Sequence, residues 1–245
     1  MPDTHADLDA DALSAATRFI RDLSTPVSNT LGDNLIGLYL LGSLAHGGFS
    51  RRYSDLDIGL VTERGLTGDM LANVKETGAA IAPELAKKIS IFWTDRTFAA
   101  GRFPPLDRLD YLDHAIAVCE RERIAPARPA RADVRAYLSG APLDNWESNC
   151  ARLAALTTLE PADHKPMVRA VLYAARFAYS WQTGLMASND TAVAYLHDED
   201  DCGLDLGLVD AALTCRRRAE NPDALFARRT ELKGLVDACR RLAAG

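Results

Sequence analysis

The segment Leu40-Leu41-Gly42-Ser43, followed a short way on by Ser54-Asp55-Leu56-Asp57, constrains this chain more than any other stretch. A glycine–serine turn closes one apolar run, and the next apolar run carries two carboxylates at alternate positions. Residues 35–41 read as a buried strand, bounded by Gly32-Asp33-Asn34 before it and Gly42-Ser43 after it. Residues 55–61 read as its partner: Leu56, Ile58 and Leu60 alternate with Asp55, Asp57 and Gly59, so both carboxylates leave the same side of the strand. One face is expected to pack and the other to carry chemistry.

Around this pair the hydrophobic spacing predicts a mixed fold. Leu13, Ala16, Phe19, Ile20, Leu23 and Val27 recur at helical spacing over residues 9–31, with Pro26 expected to end or kink that helix early. A second helix is expected over 67–85, and Lys88-Ile-Ser-Ile-Phe-Trp-Thr94 reads as a third strand closing a small sheet. Residues 96–123 leave room for a helix over 106–114 and further regular structure through Val118. The proline- and alanine-rich stretch 125–131 marks a boundary, beyond which strand signals vanish. The expected organisation is an α/β (α+β) domain with a small mixed sheet over 1–127, then an all-α helical bundle over 128–245. Helices are expected over 133–139, 143–159, 164–183, 188–197, 206–218 and 222–243, with Gly184 as a C-terminal stop and Asn221-Pro222 as N-cap and first helical position.

Composition excludes several classes of function. The formal net charge of −6 over 245 residues argues against a sequence-independent grip on nucleic acid, which draws on Lys and Arg contacts to phosphates. Five cysteines, odd in number and without a Cys-x-x-Cys pair, suggest neither a disulfide framework nor a zinc site, and are read as packing residues. The acidic start Met1-Pro2-Asp3-Thr4 lacks an apolar stretch behind it, and no run is long enough to span a bilayer, so a cytoplasmic protein with no membrane partner is expected.

Two carboxylates at i and i+2 on a strand can share a divalent cation, because hard Mg2+ takes oxygen ligands and needs few from protein when phosphates supply the rest. Asp55 and Asp57 are the candidate ligands. Gly42 and Ser43 would meet phosphate oxygens of a nucleoside triphosphate, since glycine lets the backbone approach closely and serine adds a hydroxyl. Gly47-Gly48 lets the chain double back, which leaves Arg51 and Arg52 where they can neutralise phosphate charge.

At these residues the chain resembles the polymerase-beta-like nucleotidyltransferase superfamily, marked by a Gly-Ser turn and Asp-x-Asp on the next strand. More narrowly it resembles aminoglycoside nucleotidyltransferases of the streptomycin/spectinomycin 3''-adenylyltransferase type. The resemblance covers nearly the whole chain and takes in Arg176-Phe177-Ala178-Tyr179-Ser180 with Thr183-Gly184 in the helical half. It implies Mg2+-dependent transfer of AMP from ATP to a hydroxyl of a small polar acceptor such as an aminoglycoside, an antibiotic-resistance activity. It further implies Asp55 and Asp57 as metal ligands, Gly42 and Ser43 on the triphosphate, Arg176 reaching toward the nucleotide, and a site between the two domains.

Two positions depart from the family pattern. Lys88 stands where a third carboxylate usually serves as general base, and Asn189 stands where related enzymes present a lysine to the phosphates. A protonated lysine neither ligates Mg2+ nor accepts a proton. Asp95 or Glu84 fills the role in another strand register, or the acceptor needs no base, or the site binds nucleotide without transfer. A nucleotidyltransferase modifying a protein partner is the remaining alternative. Acceptor, nucleotide preference and oligomeric state are beyond the sequence. Among weaker candidates, His46 lies within the turn, and the acidic run 197–201, the aromatics Trp146, Tyr173, Tyr179 and Trp181 and the run Arg216-Arg217-Arg218 read as surface, core and helix-end features.

Overall fold

Leu35–Leu40 forms a strand buried along its whole length, β1, because it lies between two others and under helices on both sides. Its neighbours are β2 (Leu56–Thr62) and β4 (Ile116–Glu120), both antiparallel to it, while β3 (Ile89–Asp95) runs parallel to β2. Among the described residues these strands make a mixed sheet of order β3-β2-β1-β4. The computed structural model describes residues 4–199 and 203–244.

One face of the sheet packs as its alternation predicts. Leu38, Leu40, Leu56, Ile58 and Leu60 meet Ala16, Phe19, Ile20, Leu23 and Val27 of the first helix, α1 (Thr4–Leu31). Pro26 does not end that helix. A proline inside a helix costs about 3 kcal/mol, and burial of Val27 and Leu31 beyond it, each worth roughly 1.5–3 kcal/mol, offsets the loss.

The opposite face is not open for chemistry along its length. Leu41 and Val61 are covered there by Phe98, Phe103 and Tyr111. Of the seven residues of β2, Asp57 alone is partly exposed, so reactive surface is confined to the end where that strand begins. The covering segment includes a nine-residue helix that the sequence only outlined. In chain order the remaining helices of this part are α2 (Gly42–His46), α3 (Gly68–Ile81), α4 (Pro83–Ala86) and α5 (Pro105–Asp113). The single helix expected over 67–85 is two, because Pro83 cannot continue α3 and instead starts α4.

Contacts divide the chain into two compact units, Met1–Arg128 and Pro129–Gly245. Within the second, α8 (Pro161–Thr183) is the central element, with eleven buried residues against its neighbours. Those neighbours are α6 (Arg131–Leu138), α7 (Ala141–Ala154), α9 (Asn189–Asp198), α10 (Leu206–Arg217) and α12 (Leu232–Ala244). Small buried residues Ala170, Ala174, Ala175 and Ala178 let helices approach α8 closely. Gly184, at φ +74°, closes it as expected.

Two helix boundaries differ from expectation. α7 stops at Ala154 rather than running to 159, and residues 222–243 are broken into α11 (Asp223–Ala227), a short 3-10 turn and α12. The Arg229 guanidinium explains the interruption by donating to the carbonyls of Leu156 (2.7 Å) and Phe226 (3.2 Å). Pro222 is an N-cap without a side-chain cap bond, not the first helical residue after an Asn221 cap. No helix among the described residues is long and apolar enough to cross a membrane.

Asn34 joins the start of β1 to the end of β2. Its side chain donates to the Gly65 carbonyl (2.9 Å) and accepts from the Arg64 N–H (3.0 Å), at 4% exposure. Asn34→Ala leaves both partners in a buried setting and is expected to lower unfolding free energy by about 2 kcal/mol, measured by urea denaturation. An unchanged midpoint contradicts this account.

Candidate functional site

The chain leaves β1 at Leu41 and turns at Gly42, which has φ +57°. A Cβ built on Gly42 would fall 2.3 Å from Oδ2 of Asp57, so the position needs glycine both for its backbone and for the carboxylate packed against it. The Leu41 N–H donates to the Asp57 carbonyl at 2.9 Å, fixing the turn to the strand that bears the acid. The turn is the start of the five-residue α2, which ends at Gly47 with φ +84°.

Serines tie this turn to the residue preceding the acidic pair. The Ser43 hydroxyl donates to Ser54 Oγ at 2.9 Å, and Ser54 Oγ also accepts the Ser50 N–H at 2.9 Å. Ser54, 3% exposed, thereby holds the loop carrying Arg51 and Arg52 against the turn. Asp55 follows just outside β2, while Asp57 lies within it beside Ser90 of β3.

Lys88 precedes β3 by one residue, and its carbonyl accepts the Leu56 N–H at 2.8 Å. Its ammonium donates to the Arg51 carbonyl, so here it serves as a donor. The two carboxylates suggested in its stead are engaged elsewhere. Glu84 is exposed and pairs with Lys87 at 2.5 Å. Asp95 sits at the far end of β3, five residues beyond Ser90 and so about 16 Å along the strand. Burial alone would raise the Asp95 pKa, but the Thr97 hydroxyl and the Ala99 and Ala100 N–H groups hold it below the usual range.

The carboxylates that do gather at Asp57 come from α5. Asp110, 4% exposed, accepts the Gly42 N–H at 2.8 Å through Oδ2 and meets His46 Nε2 at 2.5 Å through Oδ1. The His46 ring lies against that of His114, centroids 4.3 Å apart. Asp107, one helical turn before Asp110, is pushed up to about 7 by burial, then by the negative charges of Asp110 and Asp57. The sequence carried a signal for this pair in the i, i+3 spacing of two aspartates behind Pro104-Pro105. Only the fold shows that their helix face turns toward the glycine turn.

Gly42, Ser43, Arg51, Arg52, Asp55, Asp57 and Lys88 thus belong to one region of the first unit. Arg176 and Asn189 belong to the second: Arg176 is half-buried in the middle of α8, and Asn189 begins α9 behind the Ser188 cap. Trp146 is core, its ring N–H donating to the Ala170 carbonyl at 2.8 Å, and Trp181 stacks on Phe177. Tyr173 packs on Trp146 and Tyr179 on Tyr195. His197 pairs at the surface with Asp210, while Asp200 and Asp201 of the acidic run lie outside the described residues. Arg216 is buried, whereas Arg217 pairs with Asp190 and Arg218 with Glu220. Cys150, Cys215 and Cys239 are buried, as packing residues would be.

No protein-family model matches the sequence, and no curated protein matches it. In fold the chain is similar to a crystal structure of spectinomycin adenyltransferase AAD(9) from Enterococcus faecialis with ATP and spectinomycin. The TM-score is 0.66 and the identity 14%, over 92% of this chain and 98% of that one. At that identity the likeness is one of fold. It bears out the expected fold, an α/β part with a small mixed sheet followed by a helical region.

Asp107 makes stability depend on pH. An ordinary aspartate loses its proton near 3.8, so between that value and about 7 the folded chain holds a proton that the unfolded chain lacks. Stability contributed by the neutral form is complete below the lower value and lost as pH rises through the upper one. Asp107→Asn is therefore expected to match the wild type in acid and to unfold at higher urea above neutrality, in magnesium-free buffer. Equal midpoints on the alkaline side contradict the shift.

Proposed function

We propose that the first unit binds a magnesium–ATP complex at the Gly42 turn and the Asp55–Asp57 pair, and that the protein transfers AMP to a hydroxyl of a small polar acceptor. The observation that carries this reading is the seating of Asp57 directly against the Cβ-less face of Gly42. A turn that must be glycine, a serine beside it and a partly exposed acid beneath it supply a close-approach surface next to an oxygen donor.

The residues fit Mg2+. Asp55 and Asp57 offer hard oxygen donors, and Gly42 leaves open the space that a side chain would take from Asp57. A cation held by two carboxylates would take its other ligands from phosphate and water. Bound there, Mg2+ would withdraw electrons from phosphate oxygens and offset the charge that develops on transfer.

The chain's own residues then have distinct tasks. Gly42 permits close approach, Ser43 is held by Ser54, and Arg51 and Arg52 are carried by the same serine-pinned loop. Their guanidinium groups offset phosphate charge, the main demand of such a transfer. Lys88 anchors that loop through the Arg51 carbonyl and contributes charge rather than accepting a proton. An aminoglycoside or aminocyclitol acceptor is supported by the similarity in fold to an enzyme solved with ATP and spectinomycin.

Lys88 as a donor also favours a second reading, in which the site binds ATP without transfer. Pyrophosphate release with ATP, Mg2+ and a panel of aminoglycosides separates the two. Release that drops by about a hundredfold or more in Asp57→Asn is the expected result. ATP binding with no release from any acceptor supports the second reading, and unchanged release in Asp57→Asn overturns the metal assignment.

A further inference from the structure

Building on the triphosphate reading above, we infer that Asp110 is a positioning residue for nucleotide binding, holding the Gly42–Ser43 turn through His46 and the Gly42 peptide. One carboxylate engages both ends of α2. Oδ2 accepts the N–H of Gly42, the first residue, and Oδ1 bonds the imidazole of His46, the last. The paired side chains are 6% and 4% exposed.

A helix of five residues cannot hold itself in water, where isolated helices shorter than about 12 residues are marginal. α2 also has no side-chain cap at Leu41 and passes directly into left-handed Gly47. Its placement therefore depends on bonds from outside. Ser54 supplies one, to Ser43, and Asp110 supplies two. Because Gly42 rests on Asp57, any shift of the Gly42 peptide also shifts the turn relative to the proposed magnesium ligand.

The arrangement assigns the Gly42 N–H an inward task. It is spent on Asp110 and leaves contact with phosphate to the residues that follow. A buried carboxylate leaves costly unpaired acceptors unless its oxygens are bonded. Here both are, one to a peptide N–H and one to a ring that itself packs on His114. The same helix brings Asp107 within the field of Asp57, so α5 determines both the turn and the charge beside it.

The test measures ATP affinity by titration calorimetry with Mg2+ on the full chain, for the wild type, Asp110→Ala, His46→Ala and His46→Gln. Thermal unfolding of each variant is followed in parallel. Folded Asp110→Ala and His46→Ala are expected to bind ATP about tenfold or more weakly. A glutamine amide in place of the imidazole can still donate to Asp110, so His46→Gln is expected to restore affinity to within about threefold of wild type. A purely structural pair would lower melting temperatures and leave the affinity of folded variants unmoved, and that result overturns the inference while the nucleotide reading stands. If Asp110→Ala does not fold, the two His46 variants decide by the same criterion. A wild-type protein that binds no ATP overturns both readings.

Discussion

The contact between Gly42 and Asp57 is the constraint on which the candidate site depends. It imposes two conditions on one residue: a backbone at φ +57°, costly for any side chain with a Cβ, and an approach that leaves a Cβ only 2.3 Å from a carboxylate oxygen. Everything nearby follows from satisfying them. β1 must end at Leu40, the chain must reverse through α2 and the serine-bonded loop, and β2 must begin with its acids at the same end of the sheet. The Leu41 N–H bond to the Asp57 carbonyl makes turn and strand one unit.

The electrostatics of that end of the sheet are unusual for a packed interior. Asp107 feels Asp110 and Asp57, and Asp110 is spent on Gly42 and His46. Like charges brought together away from water disfavour ionisation, which is why Asp107 keeps its proton toward neutrality. A divalent cation among oxygen donors relieves such repulsion directly, whereas an apolar environment cannot. Arg51 and Arg52 lie in a loop held by serines and by the Lys88 ammonium. The fold agrees with that of spectinomycin adenyltransferase AAD(9) although the sequence identity is only 14%.

Much of this was legible in the residues because it is local. Leu56, Ile58 and Leu60 alternate with Asp57 and Gly59, and the structure buries all three against α1 as that alternation requires. Gly184 stops α8 for a local reason, its left-handed backbone. Long-range packing was illegible. Pro26 was expected to interrupt α1, and burial of Val27 and Leu31 outweighed it. The second face of the sheet was expected to be open, and Phe98, Phe103 and Tyr111 cover it. The i, i+3 spacing of Asp107 and Asp110 was visible, but such a pair of acids on a short helix is ordinary until the helix is placed.

The sequence by itself determined the strand–turn–strand unit, the glycine at its bend and the place of Asp57 among the alternating residues of β2, because strand alternation and glycine's backbone freedom act over a few residues. The tertiary structure alone decided which other charges join Asp57. Bringing Asp110 to the Gly42 N–H closes a loop of 68 residues, and Lys88 reaches the Arg51 carbonyl across 37. No local pattern encodes such meetings, since they depend on where the core fixes α5 and β3 against the sheet.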